Sequence, residues 1–121
     1  MTDPGPALAW CPFPDEDTAA GCADTLLEEG LIACANIVPQ MQARYVWRGT
    51  REIARETGVL FKTHVSLLEK LVERIAALHP YAEPAILGWA CDTASPETAR
   101  WIGELIASPG LSGGGTTGEQ A

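Results

Sequence analysis

Gln40-Met41-Gln42-Ala43-Arg44-Tyr45-Val46-Trp47 has a period of two. Met41, Ala43, Tyr45 and Trp47 stand on one side of an extended chain. Gln40, Gln42, Arg44 and Val46 stand on the other, so the stretch reads as a strand with one greasy face and one wetter face. Arg48-Gly49-Thr50 then reads as a turn, and Arg51 to Thr63 returns through the apolar run Val59-Leu60-Phe61. The span from Ala33 to Thr63 therefore predicts one long hairpin. Pro39 has no N–H to give a ladder, so it should mark a bulge or an edge.

Upstream, Ala7 to Cys11 is a short apolar run that reads as a buried strand ended by Pro12 and Pro14. Asp15 suits a helix N-cap, with Glu16 and Asp17 at the positive end of the dipole. Ala19, Ala23, Leu26 and Leu27 recur at helical spacing, and Gly30 is placed to stop the helix. Downstream, Ser66 and Glu69 form an S-x-x-E capping box. Leu68, Leu71, Val72, Ile75 and Leu78 trace a helical stripe that His79-Pro80 ends. Ala85 to Cys91 is apolar on both faces, as a central strand is. Ser95-Pro96 opens a last helix with Trp101, Ile102, Leu105 and Ile106 on one face.

The order is β-α-β-β-α-β followed by a helix. This is an α+β chain of the ferredoxin-like kind, βαββαβ, with an additional C-terminal helix. Two helices cover one face of the sheet. The other face carries Trp and aliphatic residues, and the hairpin exceeds the ~5–6 residues of an ordinary strand. Both features predict an oligomer.

The chain has 121 residues, which is one domain and not two. It is 46% hydrophobic and 20% charged, the balance of a folded globular chain. A net charge of −8 argues against nucleic acid and anionic membrane surfaces as partners. No apolar run approaches the ~20 residues of a membrane span. Residues 1–6 read as a flexible lead with neither a basic segment nor a hydrophobic stretch, residues 7–107 as the domain, and residues 108–121 as a flexible Gly-rich tail. A cytoplasmic location follows. The four cysteines, Cys11, Cys22, Cys34 and Cys91, contain no CxxC pair and are expected to be reduced there. Cys22 and Cys91 read as small buried hydrophobes.

Four stretches in order resemble the CutA family of divalent-cation tolerance proteins. They are Leu31 to Pro39, Tyr45-Val46-Trp47-Arg48-Gly49, Lys62-Thr63 and Leu78-His79-Pro80-Tyr81 with Pro84; Pro14-Asp15-Glu16 also resembles the family's first loop. The resemblance covers residues 7 to 106. It implies a ferredoxin-like subunit in a tight homotrimer, similar in subunit and assembly to PII-type signalling proteins, and binding of copper or another divalent cation in the response to metal ions. The chain departs from the family at Ala85, where a glutamate usually follows proline and the nearest carboxylate here is Glu83. It departs again at Thr50, where lysine is usual, and at Gly58, where an aliphatic residue is usual; Gly58 should weaken its strand or mark a bulge.

Copper prefers thiolate and imidazole. By the resemblance Cys11 matches a copper-associated cysteine and Cys34 another frequent cysteine, so the metal candidates are Cys11, His79 and Cys34. Against this, Cys11 reads equally as a buried thiol beside a proline turn, Cys34 as a packed core thiol, and His79 as a helix C-terminal residue. His64 reads as surface. A second group, Lys62, Tyr81, Glu83 and Trp47, would line an intersubunit cleft for a small anionic ligand, as in a PII-like signalling or interaction module. The same group also reads as a salt bridge with aromatic packing at the trimer contact. No HExxH or P-loop is present, so no enzyme is expected.

Overall fold

Asp15 starts the first helix as its position suggests. Its carboxylate accepts from the Thr18 N–H at 2.8 Å, satisfying a donor that the first turn leaves open. The helix, α1, spans Glu16–Glu28. Gly30 stops it at φ 74°, with its N–H on the Leu27 carbonyl and the Leu31 N–H on the Leu26 carbonyl, the paired bonds of a Schellman end. The protein is described by a computed structural model covering residues 3–107, so the expected tail at 108–121 lies outside the described residues.

The other elements are β1 (Pro6–Phe13), β2 (Cys34–Trp47), β3 (Thr50–His64), a 3-10 turn (Val65–Leu67), α2 (Leu68–Leu78), β4 (Leu87–Ala90) and α3 (Pro96–Ala107). All strand pairings are antiparallel and the order is β2-β3-β1-β4, a ferredoxin-like α+β sheet. Arg48 and Gly49 both take positive φ, 50° and 82°, so the β2–β3 turn has the primed geometry that matches strand twist. Pro39 does sit at a bulge. Val38 pairs with Gly58 and Met41 with Glu56, leaving Pro39 and Gln40 opposite Thr57 alone.

Register divides the sheet into two faces. Ala9, Cys11, Phe13, Val59 and Phe61 point toward α1 and α2, where they pack on Ala19, Cys22, Ala23, Leu26, Leu71 and Ile75. Each large aliphatic or aromatic side chain buried there contributes about 1.5–3 kcal/mol. The opposite face carries the rows Cys34–Lys62–Leu8–Trp89 and Asn36–Leu60–Trp10–Leu87. The Lys62 ammonium lies 6.0 Å from the Trp101 ring centroid, so α3 covers one end of this face. The rest stays open: Leu87 is 65% and Trp89 44% exposed.

Several expectations are corrected. Ala85–Cys91 was expected to hold a central strand, yet β4 is a four-residue edge strand and every residue in it is exposed. Its two apolar faces reflect one side packed on Leu68, beside Gly88, and one side uncovered. The capping box does not form. His64 is buried and its Nδ1 accepts the Ser66 N–H at 3.0 Å and lies 2.9 Å from the Ser66 hydroxyl, so Ser66 is engaged before α2 begins at Leu68. His64 is thus not a surface residue; its Nε2 meets the Asp3 carboxylate. The Gly5 and Pro6 carbonyls accept from the Val65 and Cys91 N–H groups.

Candidate functional site

Cys11 comes from the core-facing positions of β1, and His79 from the residue that ends α2. The Pro12 carbonyl brings them together. It accepts from His79 Nε2 at 2.8 Å and lies 3.5 Å from Cys11 Sγ. His79 Nδ1 accepts the Tyr81 N–H at 3.0 Å. The ring is therefore a neutral imidazole with its proton on Nε2, and both nitrogens are engaged. It stacks on Phe13 with centroids 4.3 Å apart. Cys11 is completely buried. Burial first, and nearby Cys22 and Glu56 second, push its thiol up to about 12, which favours the protonated form over a thiolate.

Cys34 is not part of this pair. It stands in the row with Lys62, on the sheet face opposite Cys11. Its thiol lies 3.6 Å from Asn36 Oδ1. Among the described residues no group of three or more His, Cys, Asp or Glu is arranged to hold a metal ion. The chain by itself thus supplies two soft donors side by side, both already engaged.

The second predicted group is only partly assembled. Trp47, Tyr81 and Glu83 line a cleft of about 500 Å³ together with Pro12, Met41, Ala43, Tyr45, Val46, Glu56 and Ala85. Lys62 is not there. It stands six residues along β3 from Glu56, roughly 20 Å away at strand rise, against α3. In place of a lysine the cleft has two carboxylates. Tyr81 donates its hydroxyl to Glu56 Oε2 at 3.0 Å, and Arg48 donates to Glu83 Oε2 at 2.7 Å. The Arg48 guanidinium also lies 5.2 Å from the Trp47 ring centroid. Burial and the Glu56 carboxylate push the Tyr81 phenol up to about 12, keeping it a donor.

Sequence reading passed over Glu56, Arg48 and Tyr45 here. Tyr45 was within reach, because it shares the period-two face of Met41 and Trp47. Glu56 was not, because the bulge at Pro39-Gln40 decides which β3 residue stands opposite Met41.

The family described as CutA1 divalent ion tolerance protein matches residues 7–105. The divalent-cation tolerance protein CutA of Pyrococcus horikoshii is 40% identical over 95 residues, 78% of this chain and 92% of that protein. The CutA homolog of Danio rerio is 34% identical, and this chain spans 62% of its length. Among solved structures, CutA1 of Ehrlichia chaffeensis superposes with a TM-score of 0.81 at 29% identity, covering 89% of this chain and all of that one. The Archaeoglobus fulgidus structure, described as a periplasmic divalent cation tolerance protein, has a TM-score of 0.78 at 28% identity, covering 83% of this chain and 97% of that one. No described helix is long and apolar enough to cross a membrane.

Proposed function

Because this chain belongs to the CutA1 divalent ion tolerance family, we propose that it serves the cellular response to metal ions as a cytoplasmic homotrimer binding copper or a similar soft cation, without catalysis. One observation carries the metal reading: a thiol and an imidazole converge on the Pro12 carbonyl. They do not fit a resident ion within one chain. Both are buried, both are engaged, and no third donor stands with them among the described residues. Copper binding through Cys11 and His79 therefore requires both to give up their contacts with the Pro12 carbonyl, and Cys34 contributes from outside the pair or not at all.

The open rows on the sheet support the trimer. Leu87, Trp89 and Val38 on the open sheet face, and Ile53 on the hairpin, are large and exposed. Burying such residues between copies is the strongest association force this surface offers. The free thiols support a reducing compartment. The rival reading, an interaction module holding a small anion, loses the lysine on which it depended and gains Glu56.

Calorimetric copper titration of the wild type, Cys11→Ser and His79→Gln tests the proposal, with mass followed by sedimentation. The expected result is a mass near three chains throughout and at least tenfold weaker copper binding in each variant. Unchanged affinity in both variants removes their role as donors. A wild-type mass of one chain removes the trimer.

A further inference from the structure

The cleft beside the hairpin has a charge and a lining that suit neither a metal ion nor an anion. Its floor is apolar and aromatic, with Met41, Tyr45 and Trp47 from one face of β2 and Tyr81 from the loop after α2. Two carboxylates, Glu56 and Glu83, close its sides. Glu83 is neutralised by Arg48, whereas Glu56 has a phenol as its partner and no ion pair among the described residues. Aromatic faces attract cations through the ring quadrupole, and a carboxylate at the cleft wall adds a direct counter-charge. A volume near 500 Å³ falls within the ~300–1,000 Å³ typical of small-molecule sites.

The chain itself displays the chemistry. Arg48 sits at the hairpin turn with its guanidinium over Trp47 and in contact with Glu83. It is a planar organic cation already held at the rim by one ring and one carboxylate. Glu56, with Tyr45 and Tyr81, offers a second carboxylate deeper in the same cleft. We propose that this cleft binds a small organic cation, an ammonium, amidine or guanidinium head on an aromatic or alkyl body, with the head on Glu56 and the body on Met41, Tyr45 and Trp47. The cleft is built within one chain, so the proposal does not depend on the metal reading. Arg48 is its internal competitor: released from Glu83, the arginine leaves a second carboxylate to the ligand.

The probes are benzamidine and benzyltrimethylammonium, with benzyl alcohol as the neutral control and benzoate as the anionic one. Each is titrated calorimetrically into the full chain, and the assembled mass is recorded in the same buffer. The expected order is both cations well above benzyl alcohol, with benzoate weakest and cation binding weakened by salt. Glu56→Gln keeps an acceptor for the Tyr81 hydroxyl and removes the charge; it should weaken cation binding at least tenfold while benzyl alcohol is unaffected. Arg48→Asn, which tolerates the left-handed turn, should strengthen cation binding a few-fold. Benzoate binding as tightly as benzamidine, or Glu56→Gln leaving cation affinity intact, overturns the proposal. Cation binding that appears only when the assembly is diluted to single chains would assign the cleft to a second copy, and overturns it too. A trimeric mass without cation binding leaves the assembly standing and this inference refuted.

Discussion

Trp10 of β1 lies across Gly58 of β3. A Cβ on Gly58 would meet Trp10 Cζ2 at 2.8 Å and the Met41 sulfur at 3.0 Å. Gly58 pairs with Pro12 and Val38, on the sheet face away from α1 and α2. The missing side chain is thus the space that the indole fills, at the pair that borders the bulge. Gly58→Val should cost about 1–3 kcal/mol by overpacking, seen as a lower urea midpoint with unchanged slope. The same change in a Trp10→Ala background should cost much less. Equal costs in both backgrounds would mean that the ring and the glycine are independent.

Asp15 holds the first turn of α1 through the Thr18 N–H and hydroxyl. Asp15→Ala removes the cap and should lower the urea midpoint, while Asp15→Asn should lower it much less. The Asp15 carboxyl is held below the usual carboxylate range chiefly by the Thr18 N–H. Its contribution is present above the unfolded carboxyl pKa near 3.8 and is lost as pH falls through the lower folded value. The urea midpoint at pH 3 should therefore differ less between wild type and Asp15→Ala than at pH 7.

Local chemistry made much of this fold legible. The Asp15 cap, the Gly30 stop, the Arg48-Gly49 turn and the Pro39 bulge are each set by one or two residues with few alternatives. What escaped depended on distant partners. Ser66 and Glu69 have the letters of a capping box, but His64 engages Ser66 first. Ala85–Cys91 has the composition of a central strand because an uncovered apolar face reads the same as a buried one. Lys62 follows an apolar strand run and reads as facing Tyr81 and Glu83, whereas β3 carries it to α3. Cys11 and His79 do meet, but only the structure shows that a backbone carbonyl stands between them.

Cys11 and Cys22 make stability fall in alkali. Burial holds their thiols at about 12 and about 11, against 9.0 for a free thiol. The folded state keeps these protons after the unfolded chain has released them. Their stabilising effect is thus complete below pH 9 and is lost as pH rises toward those values. Each contributes a slope of up to about 1.4 kcal/mol per pH unit. Cys11→Ala should show a smaller loss of urea midpoint between pH 8 and pH 10 than the wild type. At pH 8 iodoacetamide should label half-buried Cys91 ahead of Cys11. Parallel alkaline profiles would mean that the Cys11 thiol is not held protonated by folding.

Trp89 tests the assembly most directly. It stands on edge strand β4 in a row with Leu8 and Lys62, beside Trp10 and Leu87. Among the described residues no strand lies beside the β4 edge opposite β1, and α3 covers only one end of the apolar face. Within one chain Trp89 is exposed enough that a glutamate there should disturb folding little. Between chains, the same change would bury a charge in place of an indole, losing ~1.5–3 kcal/mol of apolar burial and adding desolvation at every contact. Trp89→Glu should therefore lower the sedimenting mass toward one chain at micromolar concentration, with the far-ultraviolet circular dichroism retained. Trp89→Phe should keep the wild-type mass. A full-mass Trp89→Glu assembly would mean that copies meet through another surface, with the hairpin from Cys34 to His64 the next to be substituted, at Ile53.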